Sequence, residues 1–148
     1  MQDATQGRGT DEGVPPRRSG RREDGAGITA RLHVLVVDDE PLIGTTLRIL
    51  LDEHEVRVVG SGPAARDLLA GGASFDVILC DLMLEGFSGM DLSRWLETER
   101  PEMAKRLVFM TGGAFTEEAR SFLRGVPSAR QLEKPFSTED ILRVLRSV

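Results

Sequence analysis

Three carboxylates, one hydroxyl and one ammonium group stand directly after short apolar segments of this sequence. They are Asp38 and Asp39, Asp81, Thr111 and Lys134. Converging carboxylates repel one another and hold protons more tightly unless a cation lies among them. Oxygen ligands with room for water suit Mg²⁺, which favours phosphate as a co-ligand. Because Thr111 could donate a hydrogen bond to a phosphoryl oxygen and Lys134 could neutralise another, the set predicts phosphoryl transfer to a carboxylate.

The apolar segments before these residues have the length and composition of buried β-strands. They are Leu32–Val37, Val56–Val59, Phe75–Cys80, Leu107–Met110 and a weaker segment around Leu132. In a parallel sheet the carboxyl ends of all strands lie at one edge, where ligands bind at the switch in strand order. The polar residues are therefore predicted to meet at that edge.

Amphipathic helical patterns alternate with the strands. They cover Pro41–Leu51, Pro63–Ala70, a helix that begins near Ser88 and stops at Pro101, Thr116–Leu123, and a last helix that begins near Ser137. Five strands alternating with five helices predict an α/β fold, in which helices cover both faces of a five-stranded parallel sheet.

The chain has 148 residues, which is enough for a single domain. Residues 1–30 are rich in glycine and arginine and contain few apolar side chains, so we expect a disordered leader or linker there. Residues 31–148 are predicted to form the folded domain.

Composition argues against several classes of protein. The net charge of −5 disfavours nonspecific binding to nucleic acid. No apolar stretch has the roughly 18 residues of a membrane-spanning helix, so no membrane contact is expected. The single cysteine, Cys80, allows no internal disulfide, which is typical of a cytoplasmic protein.

Four segments resemble the signature segments of two-component response regulator receiver domains. They are Leu35–Pro41, Asp81–Gly86, Met110–Gly113 and Glu133–Phe136, and the resemblance covers residues 31–148. It implies a flavodoxin-like, doubly wound fold with strand order 2-1-3-4-5. It also implies a module of phosphorelay signal transduction and not an enzyme.

The resemblance implies a role for each residue of the acidic set. Asp81 would accept a phosphoryl group from a histidine kinase or a histidine phosphotransfer protein. Asp38, Asp39 and Asp81 would hold Mg²⁺ together with the backbone carbonyl of Met83. The phosphorylated domain would then contact a downstream protein target through its fourth helix, fifth strand and fifth helix.

The remaining signature residues would act after the phosphoryl group arrives. Thr111 would move toward it and Lys134 would pair with it, followed by a cis peptide bond before Pro135. Two positions depart from the family. Glu85 stands where a proline is usual, and Gln131 stands where many receivers have a tyrosine or phenylalanine that reorients on activation.

The sequence leaves three alternatives to a stand-alone receiver. A flexible leader followed by the segment 110–115 also resembles the carboxyl-terminal receiver of hybrid histidine kinases. A receiver can also dock to partners without being phosphorylated. A phosphatase of the haloacid dehalogenase type uses similar groups, but its nucleophile lies in an Asp-x-Asp pair, whereas Asp38 and Asp39 are adjacent.

Overall fold

The structure is a computed structural model that describes residues 30–113 and 116–147. The leader predicted for residues 1–30 lies outside this range except for Ala30. The strands are β1 (His33–Val37), β2 (Glu55–Val59), β3 (Val77–Asp81), β4 (Leu107–Thr111) and β5 (Gln131–Glu133). The helices are α1 (Pro41–Leu50), α2 (Gly62–Ala70), α3 (Gly89–Glu99), α4 (Pro101–Ala104), α5 (Glu117–Arg124) and α6 (Thr138–Arg146), with a 3₁₀ turn at Ser128–Arg130.

All five strands form one parallel sheet in the order β2-β1-β3-β4-β5. The predicted fold class and strand order are therefore confirmed. The order reverses between β1 and β3, so the carboxyl ends of these two strands flank the crevice at which ligands bind in such folds. The register sets Val37 beside Cys80, which brings the residues that follow β1 close to the end of β3.

Alternate side chains of the strands supply two hydrophobic clusters, one on each face of the sheet. On one face, Leu35 and Phe109 pack with residues of α2, α3 and α5. On the other face, Val36 and Met110 pack with residues of α1 and α6. Because both faces are buried, the central strands read as continuous apolar runs in the sequence.

Polar caps define where most helices begin. Ser88 and Ser137 each open a helix with a capping box, in which Asp91 and Asp140 complete the reciprocal hydrogen bonds. The prediction that the third helix stops at Pro101 missed one element. That residue begins the short helix α4, because a proline at the first helical position lacks an N–H that would have no partner there.

Three arginine side chains hold the edge of the sheet opposite to the carboxyl ends of the strands. Arg100 donates hydrogen bonds to the carbonyls of Leu69 and Ala73. Arg106 donates to a carbonyl that precedes β3, and Arg130 donates to two carbonyls at the start of β4 and in α4. The guanidinium groups therefore tie loops and strand starts together at this edge. Among the described residues, no helix is both long and apolar enough to cross a membrane.

Candidate functional site

The strand ends bring the predicted site residues to one edge of the sheet. Asp81 is the last residue of β3 and lies level with Met110 of β4, so Thr111 lies one residue further toward the carboxyl edge. Thr111 in turn lies level with Glu133 of β5, directly before Lys134. The parallel register thus explains why residues far apart in the sequence share one site.

The three aspartates form a compact acidic cluster. One carboxylate oxygen each from Asp38, Asp39 and Asp81 lies within 4.8 Å of the others. Asp38 is only 3% exposed, and its Oδ1 accepts a hydrogen bond of 2.9 Å from the backbone N–H of Glu40. This bond fixes the orientation of the most buried carboxylate in the cluster.

Lys134 places its ammonium group among these carboxylates. Its Nζ lies 2.9 Å from Oδ2 of Asp38, 3.8 Å from Oδ2 of Asp81 and 4.0 Å from Oε1 of Glu40. Its backbone N–H donates a 2.6 Å hydrogen bond to the carbonyl of Thr111. The peptide bond between Lys134 and Pro135 is cis, as the resemblance implied.

The electrostatics of the cluster follow from burial and from its charges. Burial and the nearby charge of Asp38 raise the pKa of Asp81, although Lys134 and the hydrogen bond from the Met83 N–H oppose the shift. Burial alone would lower the pKa of Lys134. The hydrogen bond to Asp38 and the charges of Asp81, Asp38 and Glu40 outweigh burial and raise that pKa.

Thr111 and Met83 lie beside the cluster. Thr111 is buried, 8% exposed, and its hydroxyl makes no hydrogen bond to any residue within 30–113 or 116–147. That hydroxyl is therefore available to a ligand at the strand edge. The backbone N–H of Met83 donates a 3.3 Å hydrogen bond to Oδ1 of Asp81, so the loop after β3 turns back over the carboxylate.

The donor set fits a small divalent cation. Three carboxylates face a single ammonium group, and burial together with the charge of Asp38 raises the pKa of Asp81 despite the opposing charge of Lys134. A hard cation with oxygen ligands would remove this imbalance, and Mg²⁺ is the ion that binds to one or two carboxylates while keeping sites for water and phosphate.

The two departures from the family have different surroundings. Glu85 is exposed and lies in the loop after β3. Gln131 is half-buried, and its Nε2 donates hydrogen bonds of 3.2 Å to the carbonyl of Leu123 and 2.9 Å to that of Val126. The side chain at this position is thus bound to the end of α5.

Glu40 is the neighbour of the cluster to which the sequence analysis assigned no role. The side chain of Glu40 is 63% exposed, and its Oε1 lies 4.0 Å from Nζ of Lys134. The available signal was its position directly after Asp39 and before the first residue of α1.

Comparison with known proteins identifies the family. The sequence model of the response regulator receiver domain family matches residues 34–146 of the chain. The chain belongs to this family, which consists of signalling modules of two-component systems that bind Mg²⁺ at an acidic site. The match excludes the phosphatase alternative, since the sheet order and the signature segments are those of a receiver.

Two of the curated relatives are named as transcriptional regulators. The chain is 33% identical over 111 residues to the transcriptional activator protein PfeR of Pseudomonas aeruginosa, a match that covers 74% of this chain and 35% of the relative. It is 31% identical over 134 residues to the transcriptional regulatory protein TcrA of Mycobacterium tuberculosis, covering 88% and 51%. The chain thus spans about a third to a half of the length of such relatives.

Solved structures share the fold over most of this chain. A response regulator receiver protein from Sinorhizobium medicae superimposes with a TM-score of 0.65 at 27% identity, covering 79% of this chain and 93% of that one. A receiver domain protein from Clostridium thermocellum superimposes with a TM-score of 0.65 at 26% identity, covering 78% and 91%.

Proposed function

We propose that this domain accepts a phosphoryl group on Asp81 in a Mg²⁺-dependent reaction. The observation that carries the proposal is the cluster of Asp38, Asp39 and Asp81 with Lys134 at its side. The donor would be the phosphohistidine of a histidine kinase or of a histidine phosphotransfer protein. Family membership and the buried, unpaired cysteine Cys80 support a cytoplasmic location for this exchange.

The chain's own residues supply the chemistry of the transfer. A carboxylate oxygen of Asp81 forms the new bond to phosphorus, while the bond from phosphorus to the donor nitrogen breaks and the imidazole keeps the electron pair. Asp38 and Asp39, with the Met83 carbonyl, would hold Mg²⁺. When bound, the cation would neutralise charge on the phosphoryl oxygens and the carboxylates. Lys134 would pair with one phosphoryl oxygen and so stabilise the charge that arrives.

Thr111 would report the transfer to the rest of the domain. Its hydroxyl is free of hydrogen bonds within the described ranges and can donate one to a phosphoryl oxygen. Such a bond would draw the segment after β4 toward the site, and α5 begins shortly after that segment at Glu117. The change can act on a partner only by shifting the balance between two arrangements of elements that the partner contacts.

The output in this proposal is a protein contact made by α5, β5 and α6, which are the fourth helix, fifth strand and fifth helix of the sequence prediction. These elements lie beside the segments that carry Thr111 and Lys134. The relatives named above are transcriptional regulators. For this domain itself we propose no contact with nucleic acid, because the net charge of −5 disfavours binding to a phosphate backbone.

The test is chemical labelling of the full chain with acetyl phosphate, with Mg²⁺ and with excess chelator, followed by mass spectrometry of the peptides. We expect one phosphoryl group on Asp81, and only with Mg²⁺. Asp81→Asn should abolish the label, and Asp52→Asn, at an exposed aspartate after α1, should keep it. Label on another residue, or label in chelator, would contradict the proposal. Absence of label and of beryllofluoride binding would favour docking without phosphorylation.

A further inference from the structure

The loop that follows β3, residues 82–88, is held against the start of helix α2. Phe87 is half-buried and packs against the hydrophobic cluster on that face of the sheet. The guanidinium group of Arg66 in α2 covers its ring, with Cζ 5.2 Å from the ring centroid. This cation–π contact joins the loop to the second turn of the helix.

Gly62 makes this approach possible. A Cβ at that position would meet the carbonyl oxygen of Phe87 and would lie 2.6 Å from its Cδ2 and 3.0 Å from its Cβ. Such distances are closer than carbon atoms can pack, so any side chain at Gly62 would displace the loop. The first residue of α2 therefore lets both the backbone and the ring of Phe87 lie directly against the helix.

Leu82 and Leu84 anchor the first part of the loop, because both side chains are buried in the hydrophobic cluster, whereas residues 85–87 have little local restraint. Glu85 occupies the position at which the family usually has a proline, and it leaves the backbone free to rotate where a ring would fix φ. Gly86 has a φ of 84°, which favours glycine. The backbone N–H of Phe87 makes only a short-range hydrogen bond of 3.0 Å to the carbonyl of Glu85. Packing of Phe87 thus supplies restraint that the missing proline ring does not.

We infer that Phe87, seated between Gly62 and Arg66, is a positioning residue that fixes the 82–88 loop and thereby the Met83 carbonyl toward Mg²⁺. The inference rests on the proposed function, which assigns Met83 a role in binding the cation. The contact joins α2 to the loop and includes none of the clustered carboxylates, so it acts only through the backbone of the loop. Groups that orient metal ligands commonly change metal affinity without touching the metal.

Calorimetric titration of the full chain with MgCl₂, without any phosphodonor, tests the inference. Phe87→Ala should raise the Kd for Mg²⁺ roughly tenfold, as expected when support of a metal ligand is removed. Arg66→Ala should raise it about twofold to fivefold, the change expected for one partly exposed cation–π contact. Arg66→Lys keeps a cation over the ring, so its Kd should lie closer to that of the unmodified chain.

Phe122→Ala is the matched control. Phe122 is another partly buried phenylalanine that packs against the same cluster, but it lies on α5. We expect it to lower the thermal stability while leaving the Kd for Mg²⁺ unchanged. A folded Phe87→Ala variant with unchanged Mg²⁺ affinity would overturn the inference. If that variant does not fold, equal affinities of Arg66→Ala and Arg66→Lys would overturn it.

The unmodified chain separates this inference from the proposed function. If it binds no Mg²⁺ and takes no label on Asp81, the proposed function fails and the inference fails with it. If it binds Mg²⁺ and is labelled while the Phe87 and Arg66 variants match it, only the positioning role is refuted.

Discussion

Replacing Lys134 with methionine removes the ammonium group from the acidic cluster and keeps a side chain of similar length. The group lies 2.9 Å from Oδ2 of Asp38, whose side chain is 0% exposed, while the lysine side chain is 19% exposed. Breaking a fully buried ion pair by removing one partner costs about 3–5 kcal/mol. Because solvent reaches Lys134 and screens part of the interaction, we expect the free energy of unfolding to fall by about 2–3 kcal/mol without Mg²⁺.

Saturating Mg²⁺ should remove most of this difference in the free energy of unfolding between the Lys134→Met variant and the unmodified chain. The cation and the ammonium group neutralise the same carboxylates, so a chain without Lys134 gains more from binding the cation. A ligand at a hundred times its Kd stabilises the folded state by about 2.7 kcal/mol. Each 1.4 kcal/mol or so by which this difference shrinks corresponds to about tenfold tighter binding of Mg²⁺ by the variant.

Urea denaturation followed by circular dichroism, at neutral pH in EDTA and in saturating MgCl₂, measures both quantities. Lys105→Met is the control, because Lys105 is an exposed lysine that follows α4, and it should change the stability little in either buffer. A Lys134→Met variant whose deficit is the same in both buffers would show that the ammonium group and the cation do not share these carboxylates.

Two further predictions concern residues outside the acidic cluster. Gln131→Leu removes the hydrogen bonds to the carbonyls of Leu123 and Val126. We expect the free energy of unfolding to fall by about 1–2 kcal/mol and amide hydrogen exchange in α5 to accelerate. Unchanged exchange in α5 would contradict a role of Gln131 in holding the helix. Burial lowers the pKa of His54 from its ordinary 6.5, and its Nδ1 accepts a 3.0 Å hydrogen bond from the Leu32 N–H. The stability that neutral His54 contributes should therefore be complete above pH 6.5 and be lost as the pH falls through the lowered pKa. Thermal unfolding across a pH series should show this slope, and His54→Gln should flatten it.

The apolar runs and the polar residues after them predicted the α/β fold class and the edge of the sheet at which those residues meet, whereas the strand order was implied by the resemblance to receiver domains. Each central strand is a continuous apolar run, and in a parallel sheet the residue after such a run has to lie at the carboxyl edge. The sequence therefore predicts that Asp81, Thr111 and Lys134 lie together at this edge. The capping residues Ser88 and Ser137 likewise marked helix starts, because the cap acts within four residues of sequence.

Features that depend on distant partners could not be predicted from the sequence. The sequence does not indicate that Lys134 bonds to Asp38 and lies further from Asp81, since that choice depends on how the loop after β5 packs. Gln131 could be recognised as a departure, but its hydrogen bonds depend on where α5 ends in space. The close approach of Phe87 to Gly62 likewise arises only when α2 and the 82–88 loop are packed side by side.

The three arginines at the far edge of the sheet restrain that edge more than the edge that carries the acidic cluster. Arg100, Arg106 and Arg130 each bind backbone carbonyls, and these bonds join strand starts, loops and short helices into one unit. At the opposite edge, the acidic cluster lies on the end of β3 and on the loop after β1. A charge added at the carboxyl edge would act on strands whose other ends are held by the arginine hydrogen bonds. The loops at the carboxyl edge, with α5 and α6, would therefore move in response to the added charge. The strands would keep their register.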